Sequence, residues 1–202
     1  MEDSLNETNY RGLKNILISS ASSKTAFIIA YRMLLRREAP NGSRNLKIVG
    51  LTSRSNLAFT RRLGFYDQVF AYDQVTSVSK VSNMDDCLYI DVSGNRSLNE
   101  SIAETLAPKL TVSLGMTSVE GGSSNNLTGA KGNTRGRESF FMPEWLAVRL
   151  KQVGSKSLKE MQKTAWAQLM EDCPSWVKIE TYRGEREVLG AYLKDSERWR
   201  AA

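Results

Sequence analysis

The residues best suited to chemistry in this 202-residue chain stand together in one short stretch, Ser19-Ser20-Ala21-Ser22-Ser23-Lys24-Thr25-Ala26. A backbone that approaches a phosphate closely needs small side chains at its turn. A helix starting behind that turn then supplies N–H donors and a partial positive charge. Ser20, Ser23 and Ala26 have the spacing G-x-x-G-x-x-G, each glycine being replaced by a residue nearly as small. The hydroxyls of Ser20, Ser22, Ser23 and Thr25 can donate to an anion, and Lys24 adds charge. The same stretch serves equally well as a plain helix cap through Ser22 or Ser23, with no ligand at all. A P-loop is excluded, because Ile18 and Ser23 occupy its glycine positions.

A second group lies at Thr52-Ser53-Arg54-Ser55-Asn56. If the turn holds a dinucleotide, a carboxylate here would take the ribose 2′-hydroxyl, whereas an arginine accommodates a 2′-phosphate. Residues 52–56 contain no carboxylate, so Ser53 and Arg54 point to NADP in preference to NAD. The alternative is a helix cap by Ser53 or Ser55 beside a surface arginine. The chain has no histidine, which removes Ser-His-Asp and Cys-His catalysis and His-based zinc sites. Its two cysteines, Cys87 and Cys173, lack metal-ligand spacing, so no metal site is expected. Chemistry then falls to a bound cofactor or to Tyr, Lys, Ser and carboxylates, and no catalytic residue is assigned.

These residues must be held by an alternation of strands and helices. Apolar runs bounded by turn formers predict strands at 15–19, 46–51, 68–72, 87–92 and 110–114. Apolar residues at helical spacing predict helices at 24–37, 56–63 and 97–106. Alternation of this kind implies right-handed crossovers and a parallel sheet. The expected fold is α/β, a Rossmann-like doubly wound sheet of about six strands with helices on both faces. Residues 1–13 read as a polar N-terminal segment, 14–115 as the core, and 116–138 as a Gly/Ser/Asn-rich flexible loop. Residues 139–202 read as a helical C-terminal part of the same domain. Helices are expected from Pro143 to Gly154, from the capping box Ser157–Glu160 to about Met170, and at 185–199, with a sixth strand at 176–181.

Composition fits that frame. Apolar residues make up 41% and charged residues 25%, as in ordinary globular proteins. The net charge of +6, from 28 basic and 22 acidic side chains, is modest and spread along the chain. It does not carry the footprint of a nucleic-acid binder. The acidic, polar start shows no signal peptide, and Arg32 interrupts the longest apolar run. A cytoplasmic chain with no membrane or nucleic-acid partner is expected.

Residues 16–26, Val49-Gly50-Leu51-Thr52-Ser53, residues 59–64 and residues 69–72 together resemble the cofactor domain of medium-chain dehydrogenase/reductases. The similarity is to their zinc-independent, quinone-oxidoreductase-like branch. More closely, the serine-lysine turn, Tyr66-Asp67, Tyr72-Asp73 and Phe140-Phe141-Met142-Pro143 resemble an uncharacterised family within or beside that branch. The resemblance implies that Tyr72 contacts the adenosine phosphate. It implies further that Ser93 lies beside the nicotinamide ribose and Gly115 beside the nicotinamide. The lysine of that branch's second helix falls on Asn56, which removes part of the phosphate site. The implied function is NADP-dependent hydride transfer to a quinone- or enone-like substrate. Such relatives carry a GroES-like domain ahead of this one, so the chain is expected to be a fragment, with self-association through the surface left uncovered. The competing reading is a non-catalytic nucleotide-sensing or protein-interaction module.

Overall fold

The computed structural model describes residues 1–40, 42, 45–81, 84, 86–114, 136–178 and 180–200. Five strands form where the apolar runs predicted them: β1 Asn15–Ile18, β2 Lys47–Thr52, β3 Gln68–Ala71, β4 Cys87–Asp91 and β5 Leu110–Leu114. They join a sixth, β6 Arg137–Phe140, in the order β3-β2-β1-β4-β5-β6, with every neighbouring pair parallel. This is the strand order of a Rossmann-type doubly wound fold. Strands β1, β2, β4 and β5 are buried along almost their whole length, because helices cover both faces of a parallel sheet.

The helices of this part are α1 Glu2–Glu7, α2 Lys24–Glu38, α3 Leu57–Arg62, α4 Val75–Val81 and α5 Arg96–Leu106. Leu17, Val49, Leu51 and Tyr89 of the sheet pack with Val78 of α4 and Ile102 of α5 in one buried cluster. Helix α4 was not expected from the sequence; among its described side chains the buried ones are Val75 and Val78, too short a periodic signal to separate from a loop. The polar segment at 1–13 is also more ordered than its composition suggests. Leu5 and Tyr10 are buried there, and the Tyr10 hydroxyl donates to Glu2 Oε1 at 2.9 Å.

The sixth strand is a correction. None of the described residues within 176–181 joins the sheet: the Trp176 and Val177 amides both donate to the Cys173 carbonyl at 3.1 Å, closing a turn instead. The sixth strand is Arg137–Phe140, whose Arg-Glu-Ser-Phe sequence is exposed and lacks any apolar run. Its charged side chains suit a sheet edge, and Glu138 accepts from Arg11 at 3.0 Å. It takes up the end of the segment read as a loop, of which residues 116–135 lie outside the described residues.

Helix α6 spans Met142–Asp172 but breaks at Gly154, whose φ of 77° and ψ of 162° are open only to glycine. The chain divides there into two compact units, Met1–Gly154 and Ser155–Ala202. The second unit contains residues 155–172 of α6 and helix α7 Gly184–Arg200. None of its described residues is buried.

Candidate functional site

The sheet changes direction of growth between β1 and β4, since the chain travels outward to β3 and then returns to the other side of β1. At such a switch point the loops leaving the two strands diverge and open a crevice at their carboxyl ends. A cleft of about 490 Å³ lies there. Its walls include Ser20 from the β1 turn, Tyr72 and Asp73 from the end of β3, Ser93 and Asn95 from the end of β4, and Ser97 of α5.

The β1 turn is built from backbone upward. Ser20 has φ of 51°, the left-handed region that a glycine would fill at no steric cost. Its hydroxyl lies 3.4 Å from the Tyr72 hydroxyl, which links the turn to the end of β3. Ser22 accepts from the Thr52 hydroxyl at 3.0 Å, tying the turn to β2. Ser23 is the N-cap of α2, its hydroxyl accepting from the Ala26 amide at 3.3 Å. The helix-capping role expected as an alternative is therefore realised by Ser23. Lys24 and Thr25 are exposed in the first helical turn, whose leading amides have no partner within the helix.

Ser19 holds this arrangement together. It is fully buried, and its oxygen accepts from the amides of Val92 at 2.9 Å and Ser93 at 3.1 Å. One hydroxyl thus fastens the loop after β4 to the turn after β1. Asp91 sets the other side of that loop: Oδ1 accepts from the Gly94 amide at 2.9 Å, and Oδ2 from Asn99 at 2.7 Å. Asn99 in turn accepts from the Tyr89 hydroxyl at 2.6 Å. Burial, with the Asp91 charge added, holds the Tyr89 phenol above its ordinary range.

Glycine at position 50 is a packing requirement. A Cβ there would stand 2.9 Å from Ala21 Cβ and 3.0 Å from the Tyr66 ring. Tyr66 crosses this gap to donate to the Ala21 carbonyl at 2.9 Å, and burial pushes its phenol well up.

At the end of β2, Ser53 and Ser55 share a hydrogen bond of 3.0 Å between their hydroxyls. Arg54 does not stand alone. Its Nε donates to Asp73 Oδ2 at 2.8 Å and its Nη2 meets the same oxygen. A carboxylate thus reaches the β2 end from the turn that follows β3, outside residues 52–56.

Of the ten residues singled out, Ser20, Tyr72 and Ser93 meet in the cleft, and Arg54 adjoins it through Asp73. Ser22, Ser23, Lys24, Thr25 and Ser53 build or flank the surrounding turns. Gly115 lies outside the described residues. Ser19, Asp73 and Asp91 stand in or beside stretches that the sequence singles out, but it gives them no individual role. A polar residue ending a buried apolar strand, as Ser19 and Asp91 both do, was the available signal. Hydroxyl donors from three strand ends, with a guanidinium at the rim, form a donor set that suits a phosphorylated ligand. The volume falls within the range of small-molecule sites. The described residues contain no cluster able to hold a metal and no helix long and apolar enough to cross a membrane.

No curated protein matches the chain. Among solved structures it is similar to the Bacillus subtilis protein yhfP with NAD bound, at 13% identity and a TM-score of 0.44, over 76% of this chain and 47% of that one. It is similar also to the D-arabinose dehydrogenase from Sulfolobus solfataricus, at 17% identity and a TM-score of 0.40, over 72% and 38%. A domain assigned as the enoyl reductase of a polyketide synthase matches at 16% identity and a TM-score of 0.43, over 88% and 91%. The chain spans less than half the length of the first two. The model of the family described as a protein of unknown function, DUF2855, matches residues 1–197, and the chain belongs to that family.

Proposed function

We propose that this DUF2855 member binds a nicotinamide dinucleotide, NADP in preference to NAD, in the cleft between the β1 and β4 loops. The observation that carries the reading is the convergence of Ser20, Tyr72 and Ser93 at the switch point of a Rossmann-type sheet. The pyrophosphate would lie over the serine turn, with the Ser20 and Tyr72 hydroxyls and the first-turn amides of α2 as donors and Lys24 as a nearby cation. Arg54 would face the 2′-phosphate, Ser53 the adenosine ribose, and Ser93 the nicotinamide ribose. When bound, the dinucleotide supplies hydride chemistry, and the protein's share is position and electrostatics. The substrate class we propose is a quinone- or enone-like acceptor. A nucleotide-sensing role is the second reading. It is favoured by a cleft whose described walls are mostly hydroxyls, groups that hold a ligand by hydrogen bonding.

Fluorescence titration with NADPH and NADH tests the proposal. NADPH is expected to bind at micromolar to submillimolar levels, and absence of binding at millimolar concentration overturns it. Ser20→Asp keeps a residue that tolerates a positive φ but places a carboxylate on the phosphate path. It is expected to weaken both nucleotides at least about tenfold, the size of a like-charge contact near a surface, while the melting temperature stays close to the parent value. Binding without reduction of a quinone or enone would favour the sensing role over the enzymatic one.

A further inference from the structure

Asp73 holds a position that the dinucleotide reading does not use. It lies just past the end of β3, lines the cleft with Ser20 and Tyr72, and presents its Oδ2 to two nitrogens of Arg54. We propose that Asp73 is the residue that sets how strongly this site separates NADP from NAD, a proposal that rests on the dinucleotide reading above.

Two anions, the Asp73 carboxylate and an incoming 2′-phosphate, compete for a single guanidinium. Arg54 is the cation at the end of β2, where a 2′-phosphate would arrive. In the free protein its charge is matched by the Asp73 carboxylate, so the rim of the site carries no net charge from this pair. The side chains are 70% and 53% exposed, and an ion pair that open is weakly held. A 2′-phosphate can therefore take Arg54 from Asp73, but the displaced carboxylate stays beside the incoming dianion. A nucleotide with a free 2′-hydroxyl has no such conflict, because a carboxylate accepts hydrogen bonds from a ribose diol. Arg54 thus favours NADP, and Asp73 draws the preference back toward NAD. The balance is held by residues of the turns that follow two adjacent strands, and neither turn reveals it alone.

The test is the same titration on Asp73→Asn, Arg54→Ala and the double variant, read as dissociation constants for NADPH and NADH. Asp73→Asn frees the guanidinium and removes the repulsion. NADPH is expected to bind about tenfold tighter, the scale of one unit charge acting on a dianion across solvent. NADH is expected to bind no tighter than before. Arg54→Ala should weaken NADPH more than NADH, and adding Asp73→Asn to it should then give a smaller gain for NADPH than Asp73→Asn gives alone, since only the repulsion is left to relieve and no guanidinium is freed. Asp73→Ser provides the same charge change should Asp73→Asn fold poorly, with thermal melting as the check. If the parent protein binds NADPH or NADH but the ratio of affinities is unchanged in Asp73→Asn, the inference is overturned and the dinucleotide reading stands. If both nucleotides shift together, Asp73 shapes the cleft and does not select, which also overturns it. If the parent protein binds neither nucleotide at millimolar levels, the reading and the inference fall together.

Discussion

At the scale of single residues, the cleft depends on a serine that never touches it. Ser19 is fully buried, and its one oxygen takes the amides of both Val92 and Ser93. Replacing it with alanine leaves two inward-facing N–H groups without an acceptor, and each orphaned donor costs about 1–3 kcal/mol. Both amides are part-buried, so the sum falls in the lower part of that range, and Ser19→Ala is expected to lower stability by about 2–4 kcal/mol in urea denaturation. The loss should also loosen the loop that carries Ser93, so NADPH affinity falls in the fraction that remains folded. Ser19→Thr keeps the hydroxyl and should recover most of the stability only if its extra methyl finds room. A stability equal to the parent in Ser19→Ala would show that the two loops are fastened by something else. Ser20 illustrates the opposite economy: its φ of 51° is an unfavoured backbone state held by neighbours on both sides of the turn.

At the scale of elements, the close approach of β2 to the serine turn decides whether the turn keeps its shape. Gly50 leaves the gap that the Tyr66 ring crosses to reach the Ala21 carbonyl. Gly50→Ala puts a methyl 2.9 Å from Ala21 Cβ, well inside contact distance, so the turn or the ring must move. The expected cost is about 1–3 kcal/mol, as for other overpacked cores, with nucleotide affinity falling together with stability. A Gly50→Ala protein of parental melting temperature and affinity would show that the turn is free to shift. The elements that frame this contact were legible in the sequence. Strands β1, β2, β4 and β5 are buried runs of four to six mostly apolar residues with turn formers at their ends, too short for a helix and so readable as strands. The elements that were not legible are those whose residues answer to a neighbour. Strand β6 is Arg-Glu-Ser-Phe, exposed at an edge and fixed by its backbone pairing with β5. Residues 176–181 hold Trp, Val, Ile and Thr, all good strand formers, yet the turn at Cys173 takes their first amides. The site divided in the same way: Ser20 could be read from its spacing, whereas Asp73 gains its meaning only beside Arg54, nineteen positions earlier in the chain and adjacent in space.

At the scale of the whole molecule, three tyrosines tie the folded state to the protonated phenol. Tyr10 is held above its ordinary range by burial and by the Glu2 carboxylate, Tyr66 by burial, and Tyr89 by burial and Asp91. The unfolded chain releases these protons near pH 10. Below that value both states keep them, and the contribution to stability is fully present. Above it the unfolded chain loses protons that the folded chain retains, so stability falls as pH rises. Each retained proton is worth about 1.4 kcal/mol per pH unit, hence about 4 kcal/mol per unit for the three together. Since domains of this kind are stable by about 5–15 kcal/mol, the chain should unfold within a few pH units above 10. Lysines titrate in the same window, so the decisive measurement is a comparison of slopes. Tyr66→Phe keeps the ring over Gly50 and removes one hydroxyl that donates to Ala21. Urea denaturation should find it about 1 kcal/mol less stable at pH 8, from the lost hydrogen bond. Between pH 10 and 11.5 its stability should decline less steeply than the parent's, by about 1.4 kcal/mol per unit, so that the two curves converge and then cross. Parallel curves across that range would mean that the buried phenol gives up its proton as readily as an exposed one, and that the wall Tyr66 forms behind the serine turn is open to solvent.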